Sequence, residues 1–142
     1  RLLYFQAGYY GITTNKAKHR VDDLLIRLGL DKKRNSRLRQ LSGGMKRRFQ
    51  IAKALVHDPD ILILDEATSS LDTETELIIQ KTIKNLKNKI TIISIAHRLS
   101  TIKNCDCIFL IQDGEIIFSG DYDSLNEKSP EFRKFSSSQI LN

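Results

Sequence analysis

Three short clusters in this chain combine residue types that do chemistry on charged ligands. The pair Asp65-Glu66 directly follows the apolar run Ile61-Leu62-Ile63-Leu64. The pair His97-Arg98 follows a second apolar run, residues 90–96, rich in β-branched side chains. In open α/β sheets ligands bind beyond the carboxyl ends of the strands, where both pairs fall. One carboxylate of an Asp-Glu pair can hold Mg²⁺, directly or through water, while its neighbour positions an attacking water. The third cluster is Leu41-Ser42-Gly43-Gly44-Met45, followed by Lys46, Arg47 and Arg48. Ser42 is a good helix cap, and two glycines let a ligand approach the backbone closely. The free N–H groups and positive dipole end of the following helix suit an anion, and the three cations add to that charge. Each cluster alone has a plainer reading: an acidic pair that opens a surface turn, and a flexible Ser-Gly-Gly turn. Their common order and spacing decide against both.

The elements that must hold these clusters are legible from periodicity. Leu2, Leu3, Phe5, Gln6, Tyr9 and Tyr10 give a moderately helical first segment ended by Gly11. Asn15 can cap a second helix with Val21, Leu24, Leu25 and Leu28 at helical spacing, closed by Gly29. Residues 31–40 form a polar, basic connection. A third helix is expected over residues 43–57, stopped by Asp58-Pro59. Residues 61–64 and 90–95 read as strands buried on two faces, as in a parallel sheet, joined by a helix over residues 73–88. Residues 107–111 and 115–118 read as a hairpin with Asp113-Gly114 as its turn. Short helices are expected over residues 121–126 and 130–135.

Composition sets the outer limits. The chain has 142 residues, a formal net charge of +6 and 40% hydrophobic residues, which suits one domain. The charge is split: residues 1–57 hold 14 basic and 3 acidic side chains, residues 58–142 hold 9 and 14. No apolar run approaches the roughly 20 residues that span a bilayer. Cys105 and Cys107 do not make a disulfide framework, so a reduced, intracellular setting and buried core cysteines are expected. The chain begins with Arg1, its only methionine is Met45, and no signal peptide is visible, so it reads as a piece of something longer. Lys32, Lys33, Arg34, Arg37 and Arg39 have no interleaved aromatic; a solvated face or a contact to a membrane subunit is favoured over nucleic acid. His19 and His57 are expected in surface or packing roles, and Tyr9 and Tyr10 in packing.

Taken in order, these motifs resemble the ATP-binding-cassette (ABC) family of ATPases. Leu41-Ser42-Gly43-Gly44-Met45 is similar to its signature motif, with Met45 where Gln is commonest. Residues 61–65 resemble the Walker B strand, Glu66 the adjoining catalytic glutamate, Ser69-Ser70-Leu71-Asp72 the D-loop, and His97 the switch histidine. Twenty-three positions separate Ser42 from Asp65 and 32 separate Asp65 from His97, both fitting the family. The resemblance implies an α/β, P-loop NTPase-like ABC ATPase fold in part. About residues 1–57 would be the helical subdomain and signature helix, and about residues 58–142 the Walker B to carboxyl-terminal core and tail. It implies ATP and Mg²⁺ as cofactors and a head-to-tail pair of nucleotide-binding domains beside a transmembrane permease domain, at the cytoplasmic face of a membrane. Ser42, Gly43, Gly44 and Met45 would grip ATP held by the opposing domain, and Asp65 would hold Mg²⁺ through its water shell. Glu66 would polarise the attacking water and His97 contact the γ-phosphate, with Ser70 and Asp72 in the D-loop communicating across the dimer. Phosphoryl transfer is mostly positioning and charge stabilisation, which such a set supplies.

The pattern also departs from the family. None of the seven glycines is followed by Lys, so a Gly-x-x-x-x-Gly-Lys loop (Walker A) is absent from these residues. Residues 5–12 and 41–57 resemble stand-alone ATPase subunits. Residues 66–72, 96–101 and 120–135 resemble fused exporters. The expected function is the ATPase domain of a membrane transporter, an exporter by its second half, with this chain alone inactive. The alternatives are an ABC-type ATPase acting on nucleic acid or ribosomes, or an inactive remnant.

Overall fold

The computed structural model describes residues 1–65, 71–95 and 99–140. Glu66, Ser70 and His97 lie outside them. The chain divides into two compact units, residues 1–95 and 96–142.

The first unit opens with three helices, α1 (Leu2–Tyr9), α2 (Thr14–Arg27) and α3 (Gly43–Leu55). Helix α2 starts two residues earlier than expected, with Thr13 rather than Asn15 at its N-cap, and Gly29 just beyond it takes φ +61°, as a left-handed helix exit requires. Two single-turn 3-10 helices, Asp31–Lys33 and Leu38–Gln40, break up the basic connection; Lys32, Lys33, Arg34, Arg37 and Arg39 are all exposed there. Arg34 reaches Asp22 at 2.8 Å. Strand β1 (Ile61–Asp65) is followed by α4 (Thr73–Leu86) and β2 (Thr91–Ile95). The two strands pair in parallel, Ile61 with Thr91 through Asp65 with Ile95.

Alternation along β1 points Leu62 and Leu64 into the core. They join Ala7, Val21, Leu28, Ile51, Ala52, Val56 and Ile79, contributed by all four helices and the segments that end them. The opposite face is open. Ile61, Ile63, Ile93 and Ile95 are 56%, 68%, 51% and 54% exposed. The expectation of strands buried on both faces is therefore corrected: the sequence is apolar on both, but among the described residues only one face is covered.

The end of α3 is fastened from α2. Arg20 donates to the carbonyl of Leu55 at 3.0 Å and pairs with Asp58, which sits at φ +61°. The Arg20 hydrogen bond holds the Asp58 carboxyl below the usual carboxylate range, against a smaller opposing effect of burial. A depressed carboxyl contributes stability above its unfolded pKa and loses it as pH falls through the folded value. Arg20→Ala should therefore cost about 1 kcal/mol at neutral pH, mostly through the exposed pair and the lost cap. The cost should shrink as the solution is acidified to about pH 3. Urea melts of both proteins at the two pH values check this; an equal deficit at both would remove Asp58 from the account.

His57, next to that bridge, has the packing role expected of it: Tyr10 stacks on its ring at 4.0 Å between centroids. Tyr9 does not follow the packing expectation and is 85% exposed, because α1 turns Leu3 and Ala7 inward and leaves Leu2, Phe5 and Tyr9 outside.

The second unit holds α5 (Leu99–Ile102), β3 (Ile108–Gln112), β4 (Glu115–Gly120), α6 (Tyr122–Lys128) and α7 (Pro130–Ile140). The hairpin forms as expected, with Asp113 and Gly114 both at positive φ in its turn. Asp121 caps α6 by accepting from the Ser124 amide at 2.8 Å. Helix α7 continues past the expected stop at residue 135. Ile102, Leu125 and Phe132 make a small core of their own. Cys105 and Cys107 are both exposed, against expectation. They sit in the connection before β3, and Ile108 and Leu110 of the strand itself make the contact with the core. Among the described residues no helix is long and apolar enough to cross a membrane.

Candidate functional site

The Ser42 side chain caps α3: its Oγ accepts from the Met45 amide at 3.3 Å, while its carbonyl accepts from Lys46 at 2.9 Å. The two glycines that follow are not equivalent. A Cβ at Gly43 would meet nothing within 4 Å, so its exposed face is open to an approaching group. A Cβ at Gly44 would lie 2.6 Å from Thr75 Oγ1 and 3.2 Å from Asp72 Oδ2. Gly44 is the point where the start of α3 presses on the start of α4. Gly44→Ala should thus destabilise the first unit by about 1–3 kcal/mol through overpacking. Gly43→Ala should cost clearly less. Thermal melts of the two variants test the contrast, and equal losses would refute it. Met45 is half-buried against the main core.

The three cations after Met45 diverge. Lys46 is exposed. Arg48 is buried, and donates from Nη1 to the carbonyls of Leu28 (3.0 Å) and Gly29 (3.4 Å). A side chain at Gly29 would meet that same Nη1 at 2.9 Å. Arg47 donates from Nη2 to the carbonyl of Asp65 at 2.6 Å. Beyond the positive charge expected of them, Arg47 and Arg48 each hold carbonyls of their own unit.

Asp65 ends β1 on the open face of the sheet, in register with Ile95, and is exposed. Among the described residues its carboxylate joins no ion pair within 4.0 Å. Asp72 caps α4, accepting from the Thr75 amide at 2.8 Å. That amide first, then the Thr75 hydroxyl, hold the Asp72 carboxyl below its ordinary range; Arg48 adds a smaller pull. The structure thus brings Ser42, Gly43, Gly44, Asp65 and Asp72 into one compact unit, linked through Arg47, read from the sequence only as added charge, and Thr75, which the sequence did not single out.

Residues 5–69 match the ABC transporter family. The chain is 45% identical over 132 residues to the ATP-dependent permease MDL1 of Candida albicans, covering 90% of this chain and 18% of that protein. It is 43% identical over 112 residues to the multidrug resistance protein pgp-1 of Caenorhabditis elegans, covering 79% of this chain and 8% of that one. This chain belongs to the ABC transporter family. A bacterial Atm1-family ABC exporter with ATP bound superposes with a TM-score of 0.78 at 30% identity, over 96% of this chain and 26% of that one. The fold is accordingly a partial P-loop NTPase-like ABC ATPase fold. The chain spans 8% to 18% of the length of these two relatives.

Proposed function

We propose that these residues serve as the signature-to-carboxyl-terminal part of an ATP-hydrolysing nucleotide-binding domain in an ABC exporter. About residues 1–57 act as the helical subdomain and signature helix, and about residues 58–142 as the Walker B strand, core and tail. The observation that carries the reading is Asp65, an exposed carboxylate at the carboxyl end of an apolar parallel strand, with Glu66 next in sequence. It shares its unit with the open, Ser42-capped start of α3.

The residues present suit Mg-ATP. Gly43 leaves room for a phosphate to approach backbone N–H groups at a positive helix end. Asp65 offers a carboxylate committed to no cation among the described residues. On this reading Ser42, Gly43, Gly44 and Met45 would face ATP of a second, head-to-tail nucleotide-binding domain, and Asp65 would hold Mg²⁺. Glu66 takes the proton of the attacking water, His97 orients the γ-phosphate, and Ser70 and Asp72 meet the partner domain. Mg²⁺, when bound, neutralises charge developing on the phosphoryl oxygens. The domain works beside a transmembrane permease domain at the cytoplasmic face of a membrane. The names of the relatives, an ATP-dependent permease and a multidrug resistance protein, and the ATP-bound exporter structure support this choice.

The deciding experiment is phosphate release by the full-length protein in liposomes. Mg²⁺-dependent ATP hydrolysis is expected. Tight Mg-ATP binding with no turnover would overturn the assignment of an ATPase.

A further inference from the structure

We infer that Arg47 is a positioning residue that ties the phosphate-facing turn of α3 to Asp65 at the end of β1 of the same domain. On the ATPase reading above, this makes a route by which one ATP site is sensed at the other. The Arg47 guanidinium donates from Nη2 to the Asp65 carbonyl at 2.6 Å and from Nη1 to Gln50 Oε1 at 3.4 Å. A bond from a charged donor at that length is among the stronger hydrogen bonds a protein makes. The carbonyl it holds belongs to the peptide plane joining Asp65 to Glu66. Because a peptide unit moves as a rigid plane, displacing that oxygen re-aims both α-carbons at once.

A second anchor lies one helical turn away. Gly44 presses on Thr75 and Asp72, and Thr75 is 2% exposed, so it cannot yield without disturbing the start of α4. The first turns of α3 are therefore held at two points, to the end of β1 and to the start of α4. A shift imposed on Ser42 and Gly43 from outside passes to the metal-binding and base positions of this same chain. Lys46 and Arg48 offer no such route: the first is exposed and the second is turned to Leu28 and Gly29.

The test compares Arg47→Ala and Arg47→Lys in the full-length protein, by ATP-concentration profiles of Mg-ATP hydrolysis and by amide hydrogen exchange at the end of β1. Arg47→Ala is expected to lower kcat about tenfold with KM for ATP little changed, since misaligned groups lose rate before affinity. Its cooperativity in ATP should fall and exchange at residues 64–66 should quicken. Arg47→Lys keeps a cationic donor for the carbonyl and should recover most of the rate, which a purely structural role would not explain. A raised KM at unchanged kcat would overturn the inference by making Arg47 a nucleotide contact. Unchanged exchange in Arg47→Ala would overturn it too, whether or not the protein turns over ATP. Absence of hydrolysis in the unaltered protein would instead sink the ATPase reading, leaving exchange to judge the anchor. If Arg47→Ala fails to fold, Arg47→Gln serves in its place.

Discussion

Glu66→Gln in the full-length protein is expected to lower ATP turnover by about two to four orders of magnitude while ATP binding persists, the loss typical of removing a general base. Gln keeps the size and hydrogen-bonding reach of Glu but cannot accept the proton of the attacking water. The ground-state contacts proposed for Ser42, Gly43 and Asp65 do not depend on that proton, so affinity should survive and the variant should accumulate in its ATP-bound form. Asp65→Asn should behave differently. It removes the carboxylate proposed to hold Mg²⁺, so the Mg²⁺ concentration for half-maximal activity should rise as the rate falls. Steady-state hydrolysis and nucleotide retention on both variants separate the two roles. Near-normal turnover in Glu66→Gln would take Glu66 out of the base position.

Local chemistry made much of the scaffold readable. Ser42 before Gly43-Gly44 marked the start of α3, and its Oγ does accept from the Met45 amide. Gly29 marked the end of α2, Asp113-Gly114 marked the hairpin, and two β-rich runs around an amphipathic helix marked the parallel pair. These signals act within a few residues, so a single sequence carries them. What it did not carry was contact between distant segments. Gly44 looks like a glycine kept for a ligand, yet Thr75 and Asp72 already crowd it from α4. Arg47 and Arg48 are adjacent and chemically alike, but the roughly 100° between successive helical positions sends them to carbonyls in different parts of the unit, Asp65 and Leu28. Cys107 had the apolar character of a strand residue. Pairing begins only at Ile108, which leaves the thiol outside.

The open side of the first sheet leads to the other large expected effect. As an isolated 142-residue polypeptide this chain should self-associate and should show no Mg-ATP affinity in the micromolar range by isothermal titration. Two strands are fewer than an independently stable sheet requires, and parallel sheets are ordinarily covered on both faces. Here Ile61, Ile63, Ile93 and Ile95 form a contiguous apolar surface beside unpaired strand edges, among the described residues. Such an edge templates further pairing. The nucleotide side follows from sequence: without a Gly-x-x-x-x-Gly-Lys loop these residues offer one helix end and one carboxylate, not a cradle around the phosphates. Changing Ile63 and Ile93 to Thr keeps β-branched shape while lowering apolarity, and neither side chain belongs to the covered face. The double variant should remain more monomeric in sedimentation at equal helix content by circular dichroism. A sharply melting monomer in the unaltered chain would contradict the argument from the sheet. Micromolar Mg-ATP binding would contradict the argument from the missing loop, and the two results can be obtained on the same preparation.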